Sequence, residues 1–324
     1  MMLFRISCSA IAAVTLVTAT TTARSEDWPT KAVQVISPFS AGNANDTVAR
    51  VVLDQVSRQI AQPFIIENRP GGGGTIGVAT VTNADPDGYT ILLHASSVSA
   101  QVVLHKTLPY DPVHELAPVA LFGVQPSVLV CAPSKGFKTV ADLVAAAKAR
   151  PGELNFASAG IGSASHMAGE RLRLAAGINV QHVPFRGAEG LGAVLAGWID
   201  YYFIPIAPAA PLIADGKLVV LAVSTPKRAP SLPNVPTIAE AGYPDAEYLF
   251  WGGLSVPAKT PHYIADKLHD ETEKALKMPA VQESLTKLGV QPRPMSVKQF
   301  DRFVRDDVAA TIKFAKDAHI VPRD

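Results

Sequence analysis

Three loops rich in small residues are the part of this sequence best suited to chemistry. They span 37–43, 69–77 and 157–163, and each is predicted to follow a strand and precede a helix. Small side chains let backbone N–H groups approach a ligand, and the free N–H groups and dipole of a helix N-terminus favour an anion. Because such loops line the ligand crevice of open α/β sheets, they favour a carboxylate site without an arginine clamp. The alternative is that they are only tight turns.

Motifs for catalysis are weaker. The glycine run 71–74 lacks the Lys-Ser/Thr ending of a P-loop and the spaced glycines of a dinucleotide turn. Ser163 lies outside any Gly-x-Ser-x-Gly elbow, although His166 follows it at helical spacing and leaves a secreted serine hydrolase as an alternative. The eight histidines show no metal-ligand spacing, so neither a metal nor a cofactor is predicted. The paired carboxylates Asp306 and Asp307 are predicted to lie solvated on an exposed helix.

Composition narrows the class of protein. The 324 residues are 48% apolar and 18% charged, which excludes a disordered chain and predicts roughly two domains. The 29 basic residues nearly balance the 28 acidic ones, so no basic field for nucleic acid is expected. Of the two cysteines, Cys8 lies near the N-terminus, and Cys131 lies in an apolar run that predicts a buried, inert thiol.

Residues 1–25 resemble a secretory signal peptide. Arg5 precedes a mostly apolar stretch, 6–17, and small residues follow at 21–23 before Arg24 and Ser25. The apolar stretch is shorter than the roughly 20 residues of a membrane-spanning helix. We therefore expect export and cleavage, with an N-terminal membrane anchor as the alternative.

Strands and helices alternate along the rest of the chain. Residues 33–37 form a β-branched run, and a helix is predicted from about Asp46 with valines at helical spacing. Thr139 with Asp142 predicts a capped helix, and residues 261–278 and 280–288 are predicted to be helical. The repeated order strand, helix, strand predicts parallel sheets covered by helices.

Several sequence blocks occur in an order typical of one family. They are Trp28-Pro29-Thr30-Lys31, Ser37-Pro38-Phe39-Ser40-Ala41-Gly42, Glu67-Asn68-Arg69-Pro70 with the four glycines, Pro86-Asp87-Gly88-Tyr89-Thr90, Leu108-Pro109-Tyr110-Asp111-Pro112, Pro151-Gly152-Glu153-Leu154, His182-Val183-Pro184-Phe185-Arg186-Gly187 and Pro233-Asn234-Val235-Pro236-Thr237. Together they resemble the Bug (TctC-like) family, the extracytoplasmic substrate-binding receptors of tripartite tricarboxylate transporters. The resemblance covers nearly all of the chain after the N-terminal segment.

The resemblance implies an α/β, two-lobed periplasmic binding protein fold (type II-like), with two parallel-rich sheets flanked by helices and a ligand cleft between the lobes. Residues 26–125 and 249–324 would form the first lobe, and residues 126–248 the second. The implied function is capture of a small mono-, di- or tricarboxylate, aliphatic or aromatic, and its delivery to a membrane permease. A monomeric periplasmic protein is expected, with a ligand sensor for a signalling partner as a further alternative.

The resemblance also implies the ligand contacts. The expected contacts come from both lobes and are Phe39, Ser40, Ala41, Gly42, Asn43, Asp46, Gly72, Gly73, Gly74, Thr75, Ser96, Ser97, Ser158, Ala159, Gly160, Gly162, Ser163, His166, Phe185 and Arg186. Phe39 would lie against the carbon skeleton of the ligand, and Ser96 or Ser97 would reach in after the third strand.

Some of these positions carry alternative interpretations. Asp46 lies three residues beyond a possible Asn43 helix cap and four before Arg50, so it is spaced to interact with the helix N-terminus and with Arg50 rather than with a ligand. Arg186 suits a second ligand carboxylate or a salt bridge, and His166 suits a helix cap or a proton donor. Trp251 is expected to pack where the chain crosses between the lobes, with a ligand contact as the alternative.

The chain also departs from the family pattern at two places. Asn43 stands where a second glycine is common, although asparagine tolerates left-handed backbone angles. An acid expected near 203–204 is missing, which indicates a larger or more apolar ligand end.

Overall fold

The computed structural model describes residues 28–186 and 189–317. The predicted signal peptide therefore lies outside the described residues. The strands within these ranges are β1 Val33–Ser37, β2 Phe64–Asn68, β3 Thr90–Ala95, β4 Leu116–Gln125, β5 Ser127–Cys131, β6 Asn155–Ser158, β7 Gln181–Pro184, β8 Tyr201–Pro205, β9 Val219–Val223 and β10 Phe250–Pro257. The α-helices are α1 Ala44–Ile60, α2 Thr75–Thr82, α3 Ser96–Leu104, α4 Val140–Ala149, α5 Ala164–Ala175, α6 Glu189–Leu195, α7 Ile206–Ala214, α8 His262–Lys277, α9 Pro279–Lys287 and α10 Val297–Asp317.

The strands form two five-stranded sheets, which define the two lobes. The first has the order β2-β1-β3-β10-β4 and the second β7-β6-β8-β5-β9. The expected two-sheet α/β architecture is confirmed, but each sheet is mixed rather than parallel. Strand β10 runs antiparallel to β3 and β4, and β5 runs antiparallel to β8 and β9. Strands β5 and β10 are each preceded along the chain by a strand of the other sheet. Neither therefore belongs to a strand–helix–strand unit within its own sheet, which would make it parallel to its neighbour.

Local sequence signals explain where the predicted helices begin. The Asn43 side chain accepts hydrogen bonds from the backbone at the start of α1, and Thr139 and Asp142 form a reciprocal capping box on α4. Along α1, Val48, Val52 and Val56 are buried in one core cluster with strands β1 and β3. Burial of this apolar stripe fixes α1, and with it the loop that precedes its N-terminus.

Helices α3 and α10 pack against each other and reach from the first lobe to the second. Ala100 of α3 belongs to the core cluster of the second sheet, and Phe314 of α10 packs against that cluster. The prediction that Asp307 is solvated is wrong. Its carboxylate accepts hydrogen bonds from the Ser99 hydroxyl at 2.6 Å and the Trp251 indole at 3.3 Å, and burial raises the pKa of this carboxyl.

Cys131 is a buried free thiol, as predicted, and burial raises its pKa to about 11. In the parts of the chain that the structure covers, no helix combines the length and the apolar character needed to cross a bilayer.

Candidate functional site

A cleft of about 1400 Å³ is lined by loops from both lobes. All three small-residue loops reach it. The expected contact residues that line it are Phe39, Ser40, Ala41, Gly42, Asn43, Gly73, Gly74, Ser97, Ala159, Gly160, Ser163, Phe185 and Arg186. Those that do not line it are Asp46, Gly72, Thr75, Ser96, Ser158, Gly162 and His166. For every member of both sets, contact with a ligand stays a prediction.

Asp46 holds the first loop in place from behind. Its side chain is 2% exposed and accepts hydrogen bonds from the Gly42 N–H at 2.9 Å, from Arg50 at 3.0 Å and from Asn68 at 2.9 Å. Burial alone would raise the pKa of this carboxyl, but the hydrogen bonds from Arg50, Asn68 and Gly42 outweigh it and hold the pKa below its usual value. The predicted pair with Arg50 is confirmed. The Gly42 amide is thereby engaged with Asp46.

The second loop depends on glycine for its shape. Residues Gly71–Gly74 all have positive φ, from 56° to 128°, which side chains rarely adopt. Gln101 of α3 donates from Nε2 to the Gly73 carbonyl at 2.7 Å. A Cβ at Gly73 would lie 2.8 Å from Oε1 of the same glutamine. Gln101 therefore fixes this loop, a role that no local sequence signal indicates.

The third loop is closed by its own side chains. The Ser163 hydroxyl caps α5, accepting from the His166 N–H at 3.3 Å and donating to the Gly160 carbonyl at 2.6 Å. The His166 ring accepts from the Gly162 N–H through Nδ1 at 3.2 Å and stacks on His182 with ring centroids 4.1 Å apart. The prediction that His166 caps the helix is therefore wrong: Ser163 supplies the cap, and the His166 ring instead holds the Gly162 amide of the loop.

Several backbone N–H groups of the cleft-lining loops remain available. Within the described residues, no hydrogen-bond acceptor is found for the amides of Ser40, Ala41, Gly73, Ala164 and Ser165. They lie at or just before the N-termini of α1, α2 and α5, where the helix dipole favours an anion. The arrangement can hold a carboxylate through the main chain.

The family model for the tripartite tricarboxylate transporter family receptor matches residues 48–319. The chain belongs to this receptor family. Protein BugT of Bordetella pertussis is 32% identical over 286 residues, which cover 87% of this chain and 88% of BugT. Among solved structures, an R. palustris protein with adipate is similar with a TM-score of 0.85 and 32% identity, covering 92% of this chain and 100% of that one. MatC from Rhodopseudomonas palustris with bound malate is similar with a TM-score of 0.82 and 31% identity, covering 90% of this chain and 100% of that one. The fold of the receptor is thus that of a periplasmic binding protein.

Charge is sparse in the cleft of this receptor. Among its described lining residues, the charged side chains are Arg186, Glu189 and Lys287, and all three are exposed. Tyr202 also lines the cleft, and burial raises the pKa of its phenol to about 12. No group of three acids, histidines or cysteines suited to a metal ion occurs in the described ranges. Among the described lining residues, backbone N–H groups are therefore the main groups available to an anion deep in the cleft.

The receptor cleft also contains polar residues that are not among the predicted ligand contacts. Asn45, Gln125 and Ser127 line it, and all three are buried. Asn45 lies two positions after the cap residue Asn43, in the first turn of α1. A polar residue in that turn is a sequence signal that could indicate a residue of the cleft. Trp251 lies in β10, which follows the passage of the chain from the second sheet to the first, and it is fully buried in a T-shaped contact with Phe300. The predicted packing role is confirmed.

Proposed function

We propose that this receptor captures a small organic carboxylate in the periplasm and delivers it to the membrane permease of a tripartite tricarboxylate transporter. The observation that carries the proposal is the set of available N–H groups at three helix N-termini around one cleft. The similar proteins with adipate and with malate support a carboxylate ligand. The ligand would contact both lobes and shift the equilibrium toward a closed form.

The lobes proposed for this mechanism are residues 26–125 with 249–324, and residues 126–248. The position of the strands supports them, because β1 to β4 and β10 share one sheet while β5 to β9 share the other. Cleavage of residues 1–25 and a monomeric receptor complete the proposal. N-terminal sequencing of protein secreted to the periplasm, and its mass in solution, test these two points.

The receptor is proposed to bind its ligand without chemical change. A hydrolase would need the Ser163 hydroxyl activated by the His166 ring. Instead, Nδ1 of His166 accepts from Gly162, and Ser163 donates to the Gly160 carbonyl. This geometry supports a receptor rather than an enzyme.

The proposal is tested by thermal melting of residues 26–324 after unfolding and refolding to strip bound ligand. The panel contains mono-, di- and tricarboxylates, aromatic acids, amino acids, sugars and phosphates. A ligand at about 100 times its Kd adds roughly 2.7 kcal/mol of stability, which is several degrees of melting temperature. Stabilisation by carboxylates that are recovered unchanged is expected. Stabilisation by sugars or phosphates alone, or turnover of the ligand, would contradict the proposal.

A further inference from the structure

Two buried amide side chains lie side by side in the cleft at the point where the lobes meet. Asn45 is in the first turn of α1, and Gln125 is the last residue of β4, immediately before the chain crosses to the second lobe. They are 3% and 2% exposed, yet both line the cleft. Nε2 of Gln125 donates to Oδ1 of Asn45 at 3.1 Å.

This bond leaves the pair with one acceptor oxygen and one donor NH2 group unused. An amide side chain offers an acceptor oxygen and a donor NH2 group. Within the described residues, the Gln125 Oε1 atom and the Asn45 Nδ2 atom have no hydrogen-bond partner from the protein. Exchanging oxygen and nitrogen in both amides leaves the same set, one free acceptor beside one free donor. Both atoms are accessible from the cleft, where water or a group of the ligand can pair with them.

The fold makes specific room for the pair. A Cβ at Gly252 of β10 would overlap the Oδ1 atom of Asn45. Gly252 pairs with Gly123 of β4, two residues before Gln125. The absence of a side chain at Gly252 thus allows the Asn45 amide to lie against the sheet and meet Gln125.

We propose that Asn45 and Gln125 recognise a hydroxyl group on the carboxylate ligand, so that the receptor prefers a hydroxy acid to the same acid without the hydroxyl. This inference rests on the proposed function. A hydroxyl matches the pair because it donates to the free oxygen and accepts from the free NH2 group. A second carboxylate matches it less well, because an ionised carboxylate only accepts and would face the free amide oxygen. A site built to bind a hydroxyl discriminates against the analogue that lacks it, because its buried polar groups are then unpaired.

The test is calorimetric titration of the stripped full-length mature chain with matched acids, malate against succinate and lactate against propionate. The variants are Gln125→Leu, which keeps the size of the side chain, and Asn45→Ser, in case the first variant does not fold. Gln55→Leu is the control, because Gln55 also lies in a hydrogen bond between two amide side chains, with Gln59 on α1, and does not line the cleft.

We expect the unmodified receptor and Gln55→Leu to bind a hydroxy acid at least about 10-fold more tightly than its partner. Gln125→Leu and Asn45→Ser should reduce that ratio to within about 3-fold while keeping affinity for the acid without the hydroxyl. Equal affinity within both acid pairs in the unmodified receptor would overturn the inference and leave carboxylate binding intact; it would mean that water satisfies the amides. A preference that survives both variants would also overturn it. Failure to bind any carboxylate would overturn the proposed function as well.

Discussion

At the scale of single residues, Asp46 explains how the first loop is held in place. Its carboxylate joins the Gly42 amide, the Arg50 guanidinium and the Asn68 side chain. Hydrogen bonds to a charged group contribute about 1.5–3 kcal/mol each when measured by mutation. Asp46 is therefore a positioning residue for the loop rather than a group in the cleft wall.

Replacement of this carboxylate should destabilise the protein. Asp46→Asn is expected to lower the free energy of unfolding by about 1–3 kcal/mol, because the amide loses the charge-assisted bonds to Arg50. The control is Asp54→Asn on the same helix. Asp54 and its partner Arg58 are both exposed, so this change should alter stability by less than about 0.5 kcal/mol. Urea unfolding measures both. Equal losses for the two variants would refute a special role of Asp46.

The same carboxyl predicts a pH dependence. Its pKa is lowered in the folded protein, so its stabilisation is present above the unfolded pKa of about 3.9 and is lost as the pH falls through the folded value. Melting temperatures measured from pH 7 down to about pH 2 should therefore fall more steeply below about pH 4 for the unmodified chain than for Asp46→Asn. Carboxylates such as Glu240 also have lowered pKa values, but they are shared by both proteins. Parallel curves would exclude this contribution from Asp46.

Residue-level predictions were correct where the partners are close in sequence. The Asn43 cap and the Asp46–Arg50 pair follow from spacings of three and four residues, and both are confirmed. Asp307 was placed wrongly because its partners, Ser99 and Trp251, come from α3 and β10. Helical spacing along α10 carries no information about those elements.

At the scale of elements, the N-terminus of α5 is where we expect stability and binding to be linked. Ser163 caps this helix and lines the cleft, whereas Thr139 caps α4 in the same lobe and does not line it. Both hydroxyls cap a helix, but only that of Ser163 lines the cleft. Replacing each in turn therefore separates the effect of losing a cap from any effect on binding.

Ser163→Ala and Thr139→Ala should each reduce the free energy of unfolding by about 1 kcal/mol. Only Ser163→Ala should also weaken carboxylate binding, because loss of the cap releases the loop that precedes α5. Denaturant unfolding and calorimetric titration on both variants give the comparison. Unchanged affinity in Ser163→Ala, or weaker affinity in Thr139→Ala, would break the proposed link.

Elements were predictable when their own pattern defined them. Strand β1 was expected at 33–37 and lies at Val33–Ser37. Helix α3 was not expected, because it is buried nearly all round and shows no amphipathic stripe. The direction of β10 was also not predictable, since it depends on partners such as His94, which pairs with Gly253.

At the scale of the whole molecule, the size of the cleft agrees with the proposed closure of the lobes around a ligand. Its volume of about 1400 Å³ exceeds the roughly 300–1,000 Å³ of typical small-ligand pockets. Closure would bring the α5 N-terminus of the second lobe toward the loops of the first. The two-lobed form was predictable from the order of the sequence blocks, but the separation of the lobes depends on contacts between distant parts of the chain.

Small-angle X-ray scattering should therefore show a smaller radius of gyration when a carboxylate saturates the stripped receptor. A non-binding sugar at the same concentration is the control. Identical scattering with and without saturating ligand would show that binding needs no closure.

Main-chain N–H groups are proposed to hold the ligand carboxylate. Calorimetric titration of the best-bound acid against its methyl ester tests this proposal directly, because the ester keeps the carbon skeleton and removes the charge. Two charge-assisted hydrogen bonds correspond to about 3–6 kcal/mol, so the acid should bind at least about 100-fold more tightly than the ester. Affinities for acid and ester within about 3-fold would show that the main-chain N–H groups do not hold the carboxylate.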